Sequence, residues 1–460
     1  MNSAIFDRRF IRKTMTIALP IMLQNGVTNF VNMLDNIMVG RVGTDQMTGV
    51  SIVNQLMFVW MLCIFGGLSG IGIFTAQYYG KGDEEGVRYT FRLQFLLACF
   101  LTAAGLLVFR FGDRTLISLY LHADGGVGDP EITMANALSY LGIMLIGLLP
   151  FALAQVYGSV LRSTGETVLP MRASLAAVAV NLAGNYVLIY GKLGAPALGV
   201  AGAAIATVIS RFVELLYLAA SVHRRTDRFG FIRGAFRSFY APGRLIRECA
   251  VKGTPLLVNE FLWSAGQASL GQLHSVRGLS VISAFTISST LSNVFNVAFI
   301  AMGNATAIII GQELGAFGKT EPQRVKHDAW RLTLYAVLLC VFMGILLFLV
   351  SGFFPLIYNT SDEIRSLAAV FIRIAAVFMP MYAFENAAYF TIRSGGRTMI
   401  TFLFDSFFSW VVLIPLTAVL VYFTDMSIIL IFICAQLTEL IKCAIGAFLM
   451  QKGIWIRDIT

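Results

Sequence analysis

Two runs of 35 residues, Gln46–Gly80 and Gly278–Gln312, contain no Asp, Glu, Lys or Arg. At about 1.5 Å rise per residue, a helix of that length exceeds the roughly 30 Å hydrocarbon core of a bilayer. Lipid offers no partners to backbone amides, so such a run must satisfy its own N–H and C=O groups as a helix. Both helices are expected to tilt, bend or project beyond the membrane.

The same pattern recurs along the chain. Reading between charges gives twelve candidate helices, at 14–39, 46–79, 89–110, 132–160, 167–191, 196–221, 249–273, 280–314, 328–354, 363–392, 398–423 and 426–450. Only 13% of residues are charged, against about a quarter in a soluble domain. No hydrophilic block is long enough for a separate soluble domain. The first apolar run is too long for a cleavable leader and lacks a small-residue cleavage site.

The formal charge is +9. Its carriers sit in short loops, which makes them a topology signal rather than a nucleic-acid surface. Arg8, Arg9, Arg12 and Lys13 precede the first run, and Lys81, Arg88 and Arg92 follow the second. Arg224, Arg225, Arg228, Arg233, Arg237, Arg244 and Arg247 lie between the sixth and the seventh. Loops after odd-numbered runs hold far fewer cations. The bias puts both termini in the cytoplasm. The six cysteines show no metal-type spacing and read as small hydrophobes. The histidines form no ligand cluster. No phosphate-binding loop is present, and no nucleophile or acid-base cluster suggests an enzyme.

The chain also resembles itself. Shifted by 235 positions, Pro20 meets Pro255, Gly43 meets Gly278, Gln77 meets Gln312 and Gly80 meets Gly315. A shift of 231 aligns "RSTGET" at Arg162–Thr167 with "RSGGRT" at Arg393–Thr398. Six runs per half is an even number, so the halves face the same way, as in a parallel transporter repeat. The expected organisation is an amino-terminal six-helix lobe at 1–222, a basic cytoplasmic linker at 223–248 and a carboxyl-terminal six-helix lobe at 249–460. Phe229, Ile232, Phe236 and Phe239 keep helical spacing within the linker, which suggests an interfacial helix.

Polar residues inside the runs stand out against this background. Asp35 closes an uncharged stretch that begins at Thr14. A charged aspartate at mid-bilayer costs roughly 2.5–3.5 kcal/mol on insertion scales, less near an interface. Such a carboxyl can exchange a proton or hold a cation, and either event changes the local charge by one. The structural alternative is a satisfied carboxylate bonded to Asn32, Asn36 or a hydroxyl. Asn181 and Asn185 are four apart and share a helix face. Glu260, Glu385 and Asp405 are acids inside runs of the second half, with Arg172 or Arg373 available to neutralise Asp405. Arg211 and Glu214 are spaced to pair.

Several stretches together resemble the multidrug and toxic compound extrusion (MATE) family. They are "DNIMVGRVG" at Asp35–Gly43, "AQYYGKGD" at Ala76–Asp83, "RSTGET" at Arg162–Thr167, "NLAGNYVLIYGKLGAPALGVAGAAIAT" at Asn181–Thr207 and "GQELGAFG" at Gly311–Gly318. The resemblance covers nearly the whole chain. It implies an all-α integral membrane protein of twelve transmembrane helices in two pseudo-symmetric lobes around a central V-shaped cleft. It implies efflux of organic, often cationic or aromatic, compounds against inward H⁺ or Na⁺ flow, with no cofactor. The partners expected are such substrates and membrane lipids, the state a monomer, and the place a bacterial cytoplasmic membrane.

In the family the amino-terminal ion site includes an aspartate at the place of Asp35 and draws on positions matched by Asn181 and Thr207. Asn185 stands where some relatives carry a second aspartate, which weakens the case for tight Na⁺ binding and leaves H⁺ and Na⁺ both open. The resemblance also implies a substrate or second ion site near Glu260, Glu385 and Asp405. Glu260 and Glu385 stand one turn from the family's acidic positions, which align with Trp263 and Tyr382. A lipid-linked oligosaccharide flippase of the same architecture is the alternative. It favours a cationic cavity and often fourteen spans, whereas the charges noted inside these runs are mostly acidic.

Overall fold

Each apolar run becomes helix. The computed structural model describes residues 7–121 and 129–460, with the side chains of residues 32, 33, 36, 37, 44 and 279 left aside. Among the described residues there is no strand. Twelve rods follow in order: α1 (Arg8–Gly40), α2 (Thr44–Gly80), α3 (Glu84–Ser118), α4 (Pro130–Ser163), α5 (Val168–Tyr190), α6 (Gly199–Arg224), α7 (Gly243–Ser275), α8 (Leu279–Phe317), α9 (Pro322–Val350), α10 (Asp362–Ser394), α11 (Thr398–Phe423) and α12 (Ile428–Lys452). Among the described residues, ten are long and apolar enough to cross a membrane, and α1 and α7 are not among them. These two are the first rods of the two halves. Asn25, Asn29 and Asp35 dilute one, and Asn259, Glu260 and Gln267 dilute the other.

Local chemistry sets the helix ends. Asp83 accepts from the Gly86 amide, Asp129 from those of Glu131 and Ile132, and Ser361 from that of Ile364, each meeting a donor the first turn leaves free. α5 stops at Gly191, which takes a left-handed conformation with φ 65°. Two rods are irregular inside. α4 tightens to a 3-10 turn at Leu145–Gly147, and α11 widens into π turns at Leu403–Phe407 and Ser409–Leu413 ahead of Pro415.

Contacts gather the chain into two units. One comprises Leu23–Thr75 and Asp83–Ala250; the other comprises Met1–Met22, Ala76–Gly82 and Val251–Thr460. In the first, α5 and α6 approach closely. A Cβ on Gly202 would stand 2.5 Å from the Leu188 carbonyl oxygen, and one on Gly184 would stand 2.9 Å from the Ala206 Cβ. Only hydrogen fits at either place.

The basic segment after α6 departs from expectation. Instead of an interfacial helix it forms a 3-10 turn at Gly230–Ile232 and irregular backbone up to α7. Gly230, Gly234 and Pro242 interrupt any helix, and α3 supplies replacement hydrogen bonds. Arg92 is buried and donates to the carbonyls of Ala235 at 2.8 Å, Gly234 at 2.9 Å and Tyr240 at 3.0 Å. Phe229 and Ile232 are buried, whereas Phe236 and Phe239 lean on α3 and stay partly exposed. Phe91 meets Phe231 and Phe236, and Phe95 meets Phe236 and Phe239, at centroid distances of 5.4–5.9 Å.

In the second unit, α8, α9 and α10 pack through small residues, with Ala305, Ala329, Ala387 and Ala388 wholly buried beside Phe10, Ile17 and Ile21. The end of α2 crosses α8 reciprocally. A Cβ on Gly80 would lie 2.0 Å from the Gln312 carbonyl oxygen, and one on Gly315 would lie 2.0 Å from that of Gln77. The 235-residue shift, which superposes Gly80 on Gly315 and Gln77 on Gln312, interchanges these two contacts. The chain's last residues seal this crossing. Gln77 is buried, donates to the Ser394 carbonyl at 2.8 Å and accepts from the Ile459 amide at 2.9 Å. Asp458 lies 2.8 Å from both Lys81 and Lys319.

Candidate ion-coupling site

The glycine contact between α5 and α6 sets up a polar cluster in the first unit. Asn181 and Asn185, one turn apart on α5, are both buried. Asn181 Nδ2 lies 3.2 Å from Thr207 Oγ1 on α6, and Asn185 Nδ2 donates to Asp35 Oδ1 on α1 at 2.7 Å. The amide of Asn181 satisfies more partners when turned over. Its Nδ2 then donates to Asp35 at 3.0 and 3.2 Å while its oxygen accepts from Thr207. Tyr190 fixes the neighbouring turn of α1 by donating to the Met38 carbonyl at 3.0 Å. Asn185 Oδ1 is buried and has no hydrogen-bond partner. One carboxylate thus faces neutral oxygen and amide groups from two other helices, with a carbonyl-type oxygen left over. The side chains of Asn32 and Asn36 lie outside the described residues.

A larger cluster occupies the second unit. Asn259 on α7 donates to Asp405 Oδ2 on α11 at 2.9 Å, and its own oxygen accepts from the Ser406 amide at 3.3 Å. Its backbone carbonyl takes the Ser406 hydroxyl at 2.9 Å. The π turn at Leu403–Phe407 contains Asp405 and Ser406, so the widened backbone presents both to α7. Within this unit Arg373 does not neutralise Asp405, contrary to expectation. Arg373 donates to Ser351 Oγ at 3.1 Å. The cation beside Asp405 is Lys442 of α12, at 3.8 Å. Lys442 also bonds Glu385 Oε1 at 2.6 Å and stands 3.5 Å from Glu439 Oε2. Glu260 does not pair with Glu385 in this arrangement; its charged neighbours are Arg393 and Asp405. In the first unit Glu214 has Arg162 and Arg211 as charged neighbours.

Sequence reasoning missed Asn259, Glu439 and Lys442. The signal for the last two was present: an acid and a base three apart inside an apolar run, a helical ion-pair spacing. A lysine ten residues from a helix end is easily read as one that reaches the interface. Among the described residues, no three His, Cys, Asp or Glu side chains converge closely enough to hold a metal ion. Sodium at the amino-terminal site would therefore rest on one carboxylate and neutral oxygens.

The MatE family model matches the chain twice, over residues 20–187 and 255–419. The two matches start 235 residues apart, the same shift that superposes the prolines and glycines of the two halves. Among curated relatives, the probable multidrug resistance protein NorM of Thermotoga maritima is 24% identical, covering 91% of this chain and 88% of its own. The protein of the same name from Pasteurella multocida is 24% identical over 97% and 89%. The multidrug resistance protein MdtK of Photorhabdus laumondii is 21% identical over 88% and 86%. Among solved structures, an outward-facing multidrug resistance MATE family transporter of the MOP superfamily superposes with a TM-score of 0.83 at 17% identity, covering 96% and 94%. The Vibrio cholerae MATE transporter VcmN superposes with a TM-score of 0.85 at 16% identity, covering 97% of each chain. At these identities the structures carry the fold alone.

Proposed function

The chain belongs to the MatE family, and on that premise we propose that it is a cation-coupled antiporter exporting organic, often cationic or aromatic, compounds by alternating access. It is not an enzyme. Its place is a bacterial cytoplasmic membrane, with both termini inside and apolar side chains such as Phe100, Phe111, Phe342 and Phe423 exposed to lipid. The relatives' names, multidrug resistance proteins, support drug efflux. The coupling reading is supported by Asp35, held by Asn185 at 2.7 Å beside the buried, unpartnered Asn185 Oδ1.

Protonation of Asp35, or a cation seated on it, removes one negative charge from this cluster. The amide donors of Asn181 and Asn185 favour the empty carboxylate, whereas the spare oxygen of Asn185 favours an arriving cation. The two forms therefore prefer different side-chain arrangements. A bound ion shifts the balance between two states only by its differential affinity for them. Movement of α1 around Asp35 supplies that difference. Glu260, Glu385 and Asp405 form the substrate or second ion site of the other unit.

The test uses proteoliposomes with an imposed H⁺ or Na⁺ gradient and a fluorescent organic cation. Asp35→Asn keeps the shape and removes the exchangeable charge. Uphill efflux is expected to fall to background. Substrate affinity should stay within about threefold, or about 0.7 kcal/mol, and lose its dependence on pH or Na⁺. Wild-type uphill transport by Asp35→Asn would refute the assignment.

A further inference from the structure

We propose that Lys442 is a tethered counter-cation: its ammonium fills the acidic site of the carboxyl-terminal unit and excludes a free alkali cation from it. The inference deepens the antiport reading and rests on it.

Lys442 is 5% exposed and is held by oxygens from three helices. Glu385 of α10 lies at 2.6 Å, Glu439 of α12 at 3.5 Å and Asp405 of α11 at 3.8 Å. The Phe408 ring lies 5.7 Å away on another side, placed for a cation–π contact. An ammonium is a compact point charge with three donors and no acceptor, and it sits here as a bound monovalent cation would. Unlike such an ion it cannot leave, because its stem is part of α12. Glu439 is also more than nine-tenths buried, and its Oε2 makes no hydrogen bond. The site therefore keeps an oxygen that its resident cation does not fully satisfy.

Charge decides what can still enter. Three carboxyls face one ammonium, so two of them have no lysine of their own. Glu260 of α7 has Arg393 of α10 and Asp405 as charged neighbours, and Asn259 lies 3.4 Å from the Tyr389 hydroxyl of α10. A second cation would meet the like charge of Lys442 at close range inside an apolar protein, where repulsion is screened far less than in water. Lys442 opposes protonation of these carboxyls as well, but a proton bonds covalently to one oxygen and needs neither a cavity nor a ligand shell, whereas an alkali cation needs both. The unit is thus closed to a free alkali cation, with Lys442 as the fixed charge.

The experiment reads binding alone, so its failure is distinguishable from failure of antiport. It uses the full chain in detergent with Asp35→Asn as background, which removes the other acidic site. Radiolabelled Na⁺ should not bind this background protein. Adding Lys442→Ala should create a vacancy that takes Na⁺ or ethylammonium. At ten times its Kd, the cation should raise the melting midpoint by about 1–2 °C relative to N-methylglucamine at equal ionic strength. Adding Glu385→Gln should abolish that response. A folded Asp35→Asn, Lys442→Ala protein that binds neither cation overturns the proposal. So does Na⁺ binding by the Asp35→Asn protein that Glu385→Gln removes. This second arm needs no change at Lys442 and decides the matter if that variant does not fold.

Discussion

Asp458 shows how one carboxylate outside the membrane can hold a chain end in place. Burial alone would raise its pKa, but hydrogen bonds from Lys319, Lys81 and Thr460 outweigh that and bring it down to about 2. A carboxyl whose folded pKa is depressed stabilises the fold at pH values above its unfolded pKa, about 4. That stability is lost as pH falls through about 2. The two lysines remain partly in water, so about 1 kcal/mol is at stake after screening. Asp458→Asn is expected to lower the melting midpoint at pH 7 by about 1–2 °C. The gap to wild type should close as both are acidified from pH 4 towards pH 2. A gap that stays constant across that window would show that the lysines contribute nothing through the charge of Asp458.

Among the elements, the α5–α6 hairpin is the one on which the amino-terminal site depends. Asn181 reaches Thr207 because Gly184 and Gly202 let two backbones approach. Gly202→Val would push against the Leu188 carbonyl, with overpacking worth about 1–3 kcal/mol. It should lower the melting midpoint and weaken the pH or Na⁺ dependence of substrate binding. Gly142→Ala is the matched control, since nothing lies within 4 Å of the added Cβ. That change should be neutral or stabilising by up to about 1 kcal/mol. Equal effects from the two would mean that the close approach does not shape the site. The linker makes the opposite point. Its helical spacing of aromatics is real, but the rings pack on α3 and the backbone follows its glycines and Arg92.

For the whole molecule, the proposed orientation can be read by labelling. In a cysteine-free background, Ala195→Cys in the α5–α6 loop should react with an impermeant thiol reagent added to intact cells. Ser238→Cys in the basic segment should react only after the membrane is opened. The reverse pattern would invert the topology drawn from the arginine and lysine bias.

While helices such as α1, α3 and α7 run well past their uncharged stretches, the sequence by itself determined the number and order of the rods and the internal repeat. These depend on runs of apolar residues and on glycines and prolines in register, which are properties of local chain and solvent. It also singled out Asp35 as a candidate, because one carboxyl in an uncharged run is conspicuous wherever the run packs. Tertiary structure alone decided the partners. Asp405 meets Lys442 because a π turn and α12 face each other, and their sequence positions give no measure of that distance. Glu385 finds Lys442 rather than Glu260 for the same reason. A buried charge takes whichever opposite charge the packing brings within about 4 Å, since inside an apolar protein no solvent offers an alternative.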